Sequence, residues 1–243
     1  MKFAVLSDIH SNIEALEAVL EDLDKKNVKA IISLGDVVGY GANPVECLEI
    51  SEKFKLNILG NHDEGLFNPD TMDYFNQNAQ KSVLWTLERL KKEKKDYLSA
   101  IKAFQRKKIT KFMLFSHGDF KSNHQYLTHY YQTEDTFNYL RAHGVKICFI
   151  GHTHRQGYFV EKEKGFFTNE EINLKLYKNK VLIVNPGSVG QPRDENTQSA
   201  YLIVNDDSLT FHRVKYDIKL TASKILAEKG LPDINALRLV NGN

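Results

Sequence analysis

Phe3 to Leu6 is a short apolar run with strand character, and Ser11 follows it with Glu14 three places on, the form of a helix-capping box. A helix is predicted to start there, with Ile13, Leu16, Val19, Leu20 and Leu23 on the one face that covers a sheet. This is a βα unit. Four more apolar runs follow, Ala30 to Leu34, Leu56 to Leu59, Phe112 to Phe115 and Ile147 to Ile150. They end at Gly35-Asp36, at Gly60-Asn61-His62-Asp63, at Ser116-His117-Gly118 and at Gly151-His152-Thr153-His154. In open α/β sheets, ligands bind beyond the carboxyl ends of strands, where loops converge on a rigid scaffold. The pattern therefore points to one site.

Beyond Tyr158 the character changes to strands joined by short turns: Ile172 to Tyr177, Val181 to Val184, Tyr201 to Val204 and Leu209 to Val214. Antiparallel hairpins are predicted, turning at Asn179 and at Asn205-Asp206-Asp207. A first half of βα units and a second half of hairpins predicts an α+β protein of two packed sheets with helices outside. Ala79, Val83, Leu84, Leu87 and Leu90 recur at helical spacing, which reads as a helical embellishment around 71–108. The lysines from Lys91 to Lys95 read as a solvated helix face. No linker, repeat or low-complexity tract divides the chain, so 1–243 is read as a single domain.

Composition adds little to this until the histidines are counted. The 243 residues are 42% hydrophobic and 26% charged, which excludes disordered, fibrous and collagen-like classes. Lys+Arg of 33 against Asp+Glu of 31 leaves +2, which argues for neither a nucleic-acid nor a membrane-surface partner. The first apolar run ends in the carboxylate of Asp8, so it lacks the form of a signal peptide, and no apolar stretch is long enough to span a bilayer. A cytoplasmic location is predicted. Cys47 and Cys148 lack CxxC spacing and read as small buried apolar residues. The 9 histidines are the departure, because imidazole carries both metal binding and proton transfer near neutral pH.

The strand exits collect Asp8, His10, Asp36, Asn61, His62, Asp63, His117, His152 and His154. Carboxylate, imidazole and amide donors without thiolate suit Mn, Fe, Ni, Co or Zn. With His62 and Asp63 set aside, the remaining donors exceed what one ion usually takes from protein; a carboxylate bridging two divalent metal ions accounts for them. Two ions suit phosphate ester hydrolysis, since they neutralise charge, activate water and clamp the attacking and leaving oxygens.

In this order the blocks Asp8-x-His10, Gly35-Asp36, Gly60-Asn61-His62-Asp63, His117 and Gly151-His152-Thr153-His154 resemble the calcineurin-like metallophosphoesterase superfamily. The resemblance runs to about the Asn185-Pro186-Gly187-Ser188 turn. It implies a four-layer α/β/β/α sandwich of two mixed sheets, the metallo-dependent phosphatase fold. It also implies that Asp8, His10 and His154 hold one ion, that Asn61, His117 and His152 hold the other, and that Asp36 bridges both. His62 would bind phosphate and protonate the leaving oxygen, with Asp63 hydrogen-bonded to it. The nucleophile would be a metal-bridging hydroxide. The stretch from Gly35 to Gly41 and the following Asn43-Pro44 lack the arginine of protein Ser/Thr phosphatases and symmetrical dinucleoside tetraphosphate hydrolases. With Gly39-Tyr40-Gly41 and the Asn-Pro-Gly-Ser turn, the chain resembles the compact bacterial and archaeal branch.

Taken together, these readings predict hydrolysis of a small phosphomonoester, phosphodiester or dinucleoside polyphosphate. The alternatives are a non-catalytic metal-binding scaffold and a nuclease; the complete ligand set speaks against the first, the +2 charge against the second. Arg193 has two readings, a phosphate contact or a salt bridge with Asp194 or Glu195. Tyr40 lines the cleft or packs as a structural tyrosine. The loop from Phe120 to Tyr131, with Tyr126, Tyr130 and Tyr131, either borders the site and selects the leaving group or packs on the adjacent helix. His124, His129, His143 and His212 read as surface residues. Nothing in the sequence requires pairing between subunits.

Overall fold

The computed structural model describes residues 2–163, 171–173 and 179–243. The chain opens with β1 (Phe3–Leu6), α1 (Ile13–Lys25), β2 (Ile31–Ser33), α2 (Pro44–Ser51), β3 (Leu56–Asn57) and α3 (Asn61–Gly65). Helices α4 (Gln77–Leu90) and α5 (Tyr97–Lys102) follow, then β4 (Lys107–Ile109), β5 (Met113–Ser116), α6 (Glu134–Ala142), β6 (Ile147–Phe149) and β7 (Gln156–Val160). The remainder is β8 (Glu171–Asn173), β9 (Leu182–Pro186), β10 (Ser199–Val204), β11 (Ser208–Val214), α7 (Ile218–Ala227) and α8 (Ile234–Asn241). No described helix is long and apolar enough to cross a membrane.

Two mixed sheets form, in the strand orders β3-β2-β1-β10-β11-β8 and β4-β5-β6-β9-β7. The period-2 alternation of each strand assigns its side chains to layers. On β1, Ala4 and Leu6 join Ile13, Leu16, Val19 and Leu23 of α1 in one cluster. Phe3 and Val5 point the other way and meet Phe115, Phe149 and Val184 of the second sheet. On the far side of that sheet, Leu114, Cys148 and Ile183 pack on Phe137 and Leu140 of α6. Three apolar interfaces separate four layers, helix, sheet, sheet and helix. Both cysteines are buried and unpaired.

Strands β1, β2 and β3 run parallel in the first sheet, and β5, β6 and β9 run parallel in the second. The loops after these strands carry Asp8, Asp36, Asn61, His117 and His152. The turn after β9 then crosses to the first sheet, where Val189 and Gly190 donate their amides to the carbonyls of Ser7 and Asp8, each at 2.9 Å.

Several local expectations are corrected. Helix α1 is capped by Asn12, whose side chain accepts from the Ala15 amide at 3.0 Å. Ser11 is held in a left-handed conformation with its amide on the Val37 carbonyl, and Glu14 turns instead to Thr221 and Lys224 of α7. On α4, Leu84 is exposed while Ser82 and Thr86 are buried, their hydroxyls donating to carbonyls one turn back. The β10–β11 hairpin turns at Asn205–Asp207. Among the described residues no hairpin joins β8 to β9, because β8 pairs with β11 at the edge of the first sheet while β9 lies inside the second. The part of the predicted Ile172–Tyr177 strand beyond Asn173 lies outside the described residues.

The crossing after β9 leaves no room for a side chain at Gly190, where a Cβ would lie 1.8 Å from the Ile9 carbonyl oxygen. Gly190→Ala is expected to destabilise the fold by about 3 kcal/mol through overpacking against backbone. That corresponds to a fall of roughly 6–12 °C in thermal melting for a chain of this size. A melting temperature equal to the parent's would show that this contact does not hold the two sheets in register.

Candidate metal centre

The strand exits leave extended geometry at once. Asp8, His10, Asp36, Tyr40, His152 and His154 all adopt positive φ, between 50° and 65°. For residues with a Cβ this conformation is strained, at about 1–3 kcal/mol each, and it persists only where surrounding contacts over-determine it. It lets the chain turn sharply enough to aim successive side chains at one point. Asp8, His10 and His154 form one group whose ligand atoms lie within 4.8 Å of one another, and Asp36, His117 and His152 form a second. Asp36 also groups with His10 and His62, so it stands between the two. Asn61 joins the second group through its Oδ1, 3.0 Å from His117 Nε2.

Backbone groups orient these side chains. The Nδ1 atoms of His10, His117 and His154 lie 3.1, 2.9 and 2.6 Å from the carbonyls of Val38, Leu34 and Gln191. As donors there, they leave Nε2 for the centre. His152 is turned the other way, its Nε2 on the His124 carbonyl at 3.2 Å, which leaves Nδ1. Asp8 accepts the His152 amide on Oδ2 at 3.1 Å, and Asp36 accepts the His62 amide on Oδ1 at 2.8 Å. Their other oxygens, Asp8 Oδ1 and Asp36 Oδ2, are buried without a hydrogen-bond partner among the described residues. Gly60 permits the second contact, since a Cβ there would lie 2.0 Å from Asp36 Oδ1.

Charge makes the same demand. Burial holds His10, His152 and His154 well below the ordinary imidazole range, so they are neutral, the form that ligates a metal. Burial raises Asp8 to about 6. Burial also opposes ionisation of Asp36, but His117, His62 and His10 together hold it well below the usual carboxylate range. For His117, burial is outweighed by Asp36 and Asp8, and it rises to about 9. His10 Nε2 and His154 Nε2 face each other at 3.0 Å. Two lone pairs at that distance repel unless a cation or proton lies between them. Orphaned carboxylate oxygens, facing imidazole lone pairs and an amide oxygen fit a divalent-metal site in both number and chemistry.

Residues 1–208 match the family model of the calcineurin-like phosphoesterase superfamily domain. The chain belongs to this superfamily. A metallophosphoesterase from Sphaerobacter thermophilus is 30% identical in sequence, superposes with a TM-score of 0.85 and is covered in full, as is this chain. An uncharacterised protein of Methanocaldococcus jannaschii is 39% identical over 245 residues, spanning 98% of this chain and 97% of that one. A hypothetical protein from Pyrococcus horikoshii OT3 shares the fold, with a TM-score of 0.77 at 18% identity, over 100% of this chain and 98% of its own. The calcineurin-like fold and family make this chain a phosphoesterase by class, with clustered Asp and His residues for divalent metal.

The remaining candidates fall in different places. His62 is buried with its ring 4.5 Å from Tyr40, 4.8 Å from Phe75 and 4.9 Å from His10. Burial lowers it to about 4, and its Nδ1 has no partner among the described residues. The His62 ring donates no hydrogen bond to Asp63. Asp63 is the third residue of α3 and turns its carboxylate back to the amides of Gly60 and Val38, at 3.1 and 3.2 Å. It braces two site loops, and the expectation that it is hydrogen-bonded to His62 is corrected. Tyr40 is buried, 4.6 Å from the His10 ring. Arg193 makes no salt bridge with Asp194, which pairs with Arg213 instead. The Arg193 guanidinium lies 5.5 Å over Tyr40 and donates to Gln191 Oε1 at 2.8 Å.

Tyr126 reaches the site and stacks on His152, whereas Tyr130 and Tyr131 line a separate surface cavity with Phe137 and Arg141. His124 is corrected from a surface residue to a half-buried one whose carbonyl orients His152. His129 and His143 are exposed, and His212 stacks on Tyr201 away from the centre. The Asn185–Gln191 turn has a structural task that residue types alone do not reveal. Ser188 Oγ donates to the Asp8 carbonyl at 2.7 Å, and Asn185 Nδ2 donates to the Gly151 carbonyl at 2.8 Å.

Because the centre concentrates unpartnered acceptors, ions should stabilise the fold. Chelator treatment is expected to lower the melting temperature by roughly 5–10 °C, a shift that Mn²⁺ reverses, for a site filled at about 100 times its dissociation constant. Scanning fluorimetry reads this directly, and identical melting with and without chelator would speak against metal at this centre.

Proposed function

We propose that the chain is a dinuclear metal-dependent phosphoesterase acting on a small phosphomonoester, phosphodiester or dinucleoside polyphosphate. The observation that carries this reading is Asp36, whose buried Oδ2 accepts no hydrogen bond among the described residues and lies where the two groups of imidazoles meet, 3.3 Å from His117 Nε2 and 3.7 Å from His10 Nε2. Asp8, His10 and His154 would hold one ion and Asn61, His117 and His152 the other, with Asp36 shared. Ions bound there supply positive charge that neutralises the ester phosphate and makes water nucleophilic at neutral pH. Mn, Fe, Ni, Co and Zn all accept this donor set.

The protein's own groups do the rest. His62 follows Asn61 in the chain, and its ring packs between Tyr40 and Phe75, contacts that would orient it toward a bound ester. The anionic ester beside the ring would favour its imidazolium form against the effect of burial; as the P–O bond to the leaving group breaks, that form would give its proton to the departing oxygen and become neutral, to be reprotonated from solvent after product leaves. Arg193, which lies over Tyr40, would hold a phosphate oxygen through its N–H donors. Tyr40 serves as the packing surface for His62, His10 and Arg193 together.

Metal-depleted protein is expected to be inactive on p-nitrophenyl phosphate and its bis ester, and to regain activity with Mn²⁺. His62→Ala should lower kcat by about 10²–10⁴-fold while leaving the metal content unchanged. Asp36→Asn should reduce the bound metal below two ions per chain, counted by elemental analysis. Absence of turnover of any phosphate ester with any divalent metal would end this reading, and cleavage of DNA at low salt in preference to small esters would replace it with a nuclease.

A further inference from the structure

Two stacked pairs of aromatic side chains, joined by one contact from a ring nitrogen to a backbone carbonyl, form a ladder beside the centre. Tyr126 stacks on His152 with centroids 3.8 Å apart and planes 27° apart. His152 Nε2 lies on the His124 carbonyl at 3.2 Å, and the His124 ring stacks in turn on Tyr74 at 4.6 Å and 28°. The inner members are held in place, and the outer two stand in solvent: Tyr126 is 44% exposed and Tyr74 is 73% exposed. A tyrosine supported by an imidazole and still exposed to solvent is a ready platform for a planar ligand.

The support beneath the ladder is rigid. Asp119 Oδ1 accepts the amides of Lys121 and Ser122, each at 2.7 Å, which fixes the loop leading to His124. Asn123 Nδ2 donates to Glu64 Oε2 at 2.8 Å, and Arg106 grips the same carboxylate with two nitrogens at 2.6 and 3.1 Å. Glu64 lies on α3 with His62, so the platform and the expected proton donor are parts of one braced unit. Arg193 belongs to a different set of rings, over Tyr40 and near His10, where the phosphate would lie. Phosphate recognition and recognition of the rest of the molecule therefore fall to separate residues.

We propose that Tyr126 and Tyr74 select phosphate esters that carry a planar aromatic group, nucleoside phosphates among them, by stacking that group on their exposed faces. The proposal rests on the phosphoesterase reading of the centre. Aliphatic esters such as sugar phosphates gain less from this surface, because they have no planar π-face to stack on the rings.

The test compares the affinities of adenosine monophosphate and ribose 5-phosphate for the Mn²⁺-loaded protein by calorimetry. Adenosine monophosphate is expected to bind at least about fivefold more tightly, the loss usual for removing one stacked base. Tyr126→Leu and Tyr74→Leu should each reduce that ratio, while Tyr126→Phe, which keeps a planar face, should preserve it. Equal affinities in the parent protein, or a ratio unchanged in both leucine variants, would overturn the proposal. Turnover of p-nitrophenyl phosphate and its bis ester by the same preparation is read separately. If neither is hydrolysed, the catalytic reading fails, and the ratio of affinities still decides whether the ladder stacks an aromatic group.

Discussion

Buried acceptors that face one another need positive charge between them, and the rest of this structure follows from that requirement. Asp8, His10, Asp36, Asn61, His117, His152 and His154 are each 5% exposed or less, so bulk solvent does not reach them. Each of the four imidazoles uses one nitrogen on a backbone carbonyl, and each of the two carboxylates uses one oxygen on a backbone amide. What remains on every side chain points inward. An arrangement like this is costly without a cation and highly selective with one, because the donors are already turned to receive it.

That requirement shapes the backbone around it. Left-handed residues accumulate at the strand exits, and glycines allow main chain to touch main chain or carboxylate at Gly60 and Gly190. Such strain is affordable because three apolar interfaces hold the four layers independently of the site. Phe3, Phe115 and Phe149 lock the two sheets against each other, with Phe115 and Phe149 stacked at 5.1 Å. Donors from both sheets can then meet at fixed positions. The turn after β9 completes the join by hydrogen-bonding to the loops of Asp8 and of Gly151.

Around this centre the surroundings divide by chemistry. Arg193 and Tyr40 form a cationic, aromatic wall beside His10 and His62. Tyr126, His152, His124 and Tyr74 form the ladder, and Phe75 touches both sets of rings through His62 and His124. A small net charge of +2 is compatible with an anionic substrate under these conditions. Charges next to a bound group govern attraction at short range, and the average surface charge adds little there.

The strands, their inward faces and the donors at their exits were legible in the sequence because each depends on local order. Alternation in Phe3–Leu6 or Ile147–Phe149 sorts side chains between layers whatever the neighbouring strand is, and a donor placed just after a strand must emerge at its end. The relations between donors were not legible in this way. That Asp63 serves Gly60 and Val38, that His124 orients His152, that Tyr126 covers the centre while Tyr130 does not, and that β8 and β9 part to different sheets all depend on which segments meet across long loops. Sequence alone determined the chemistry available and the end of the sheets at which it collects. Tertiary structure decided which atom of each group faces inward, because that choice is made by backbone carbonyls and amides, which look the same at every position of a sequence until the fold brings them together.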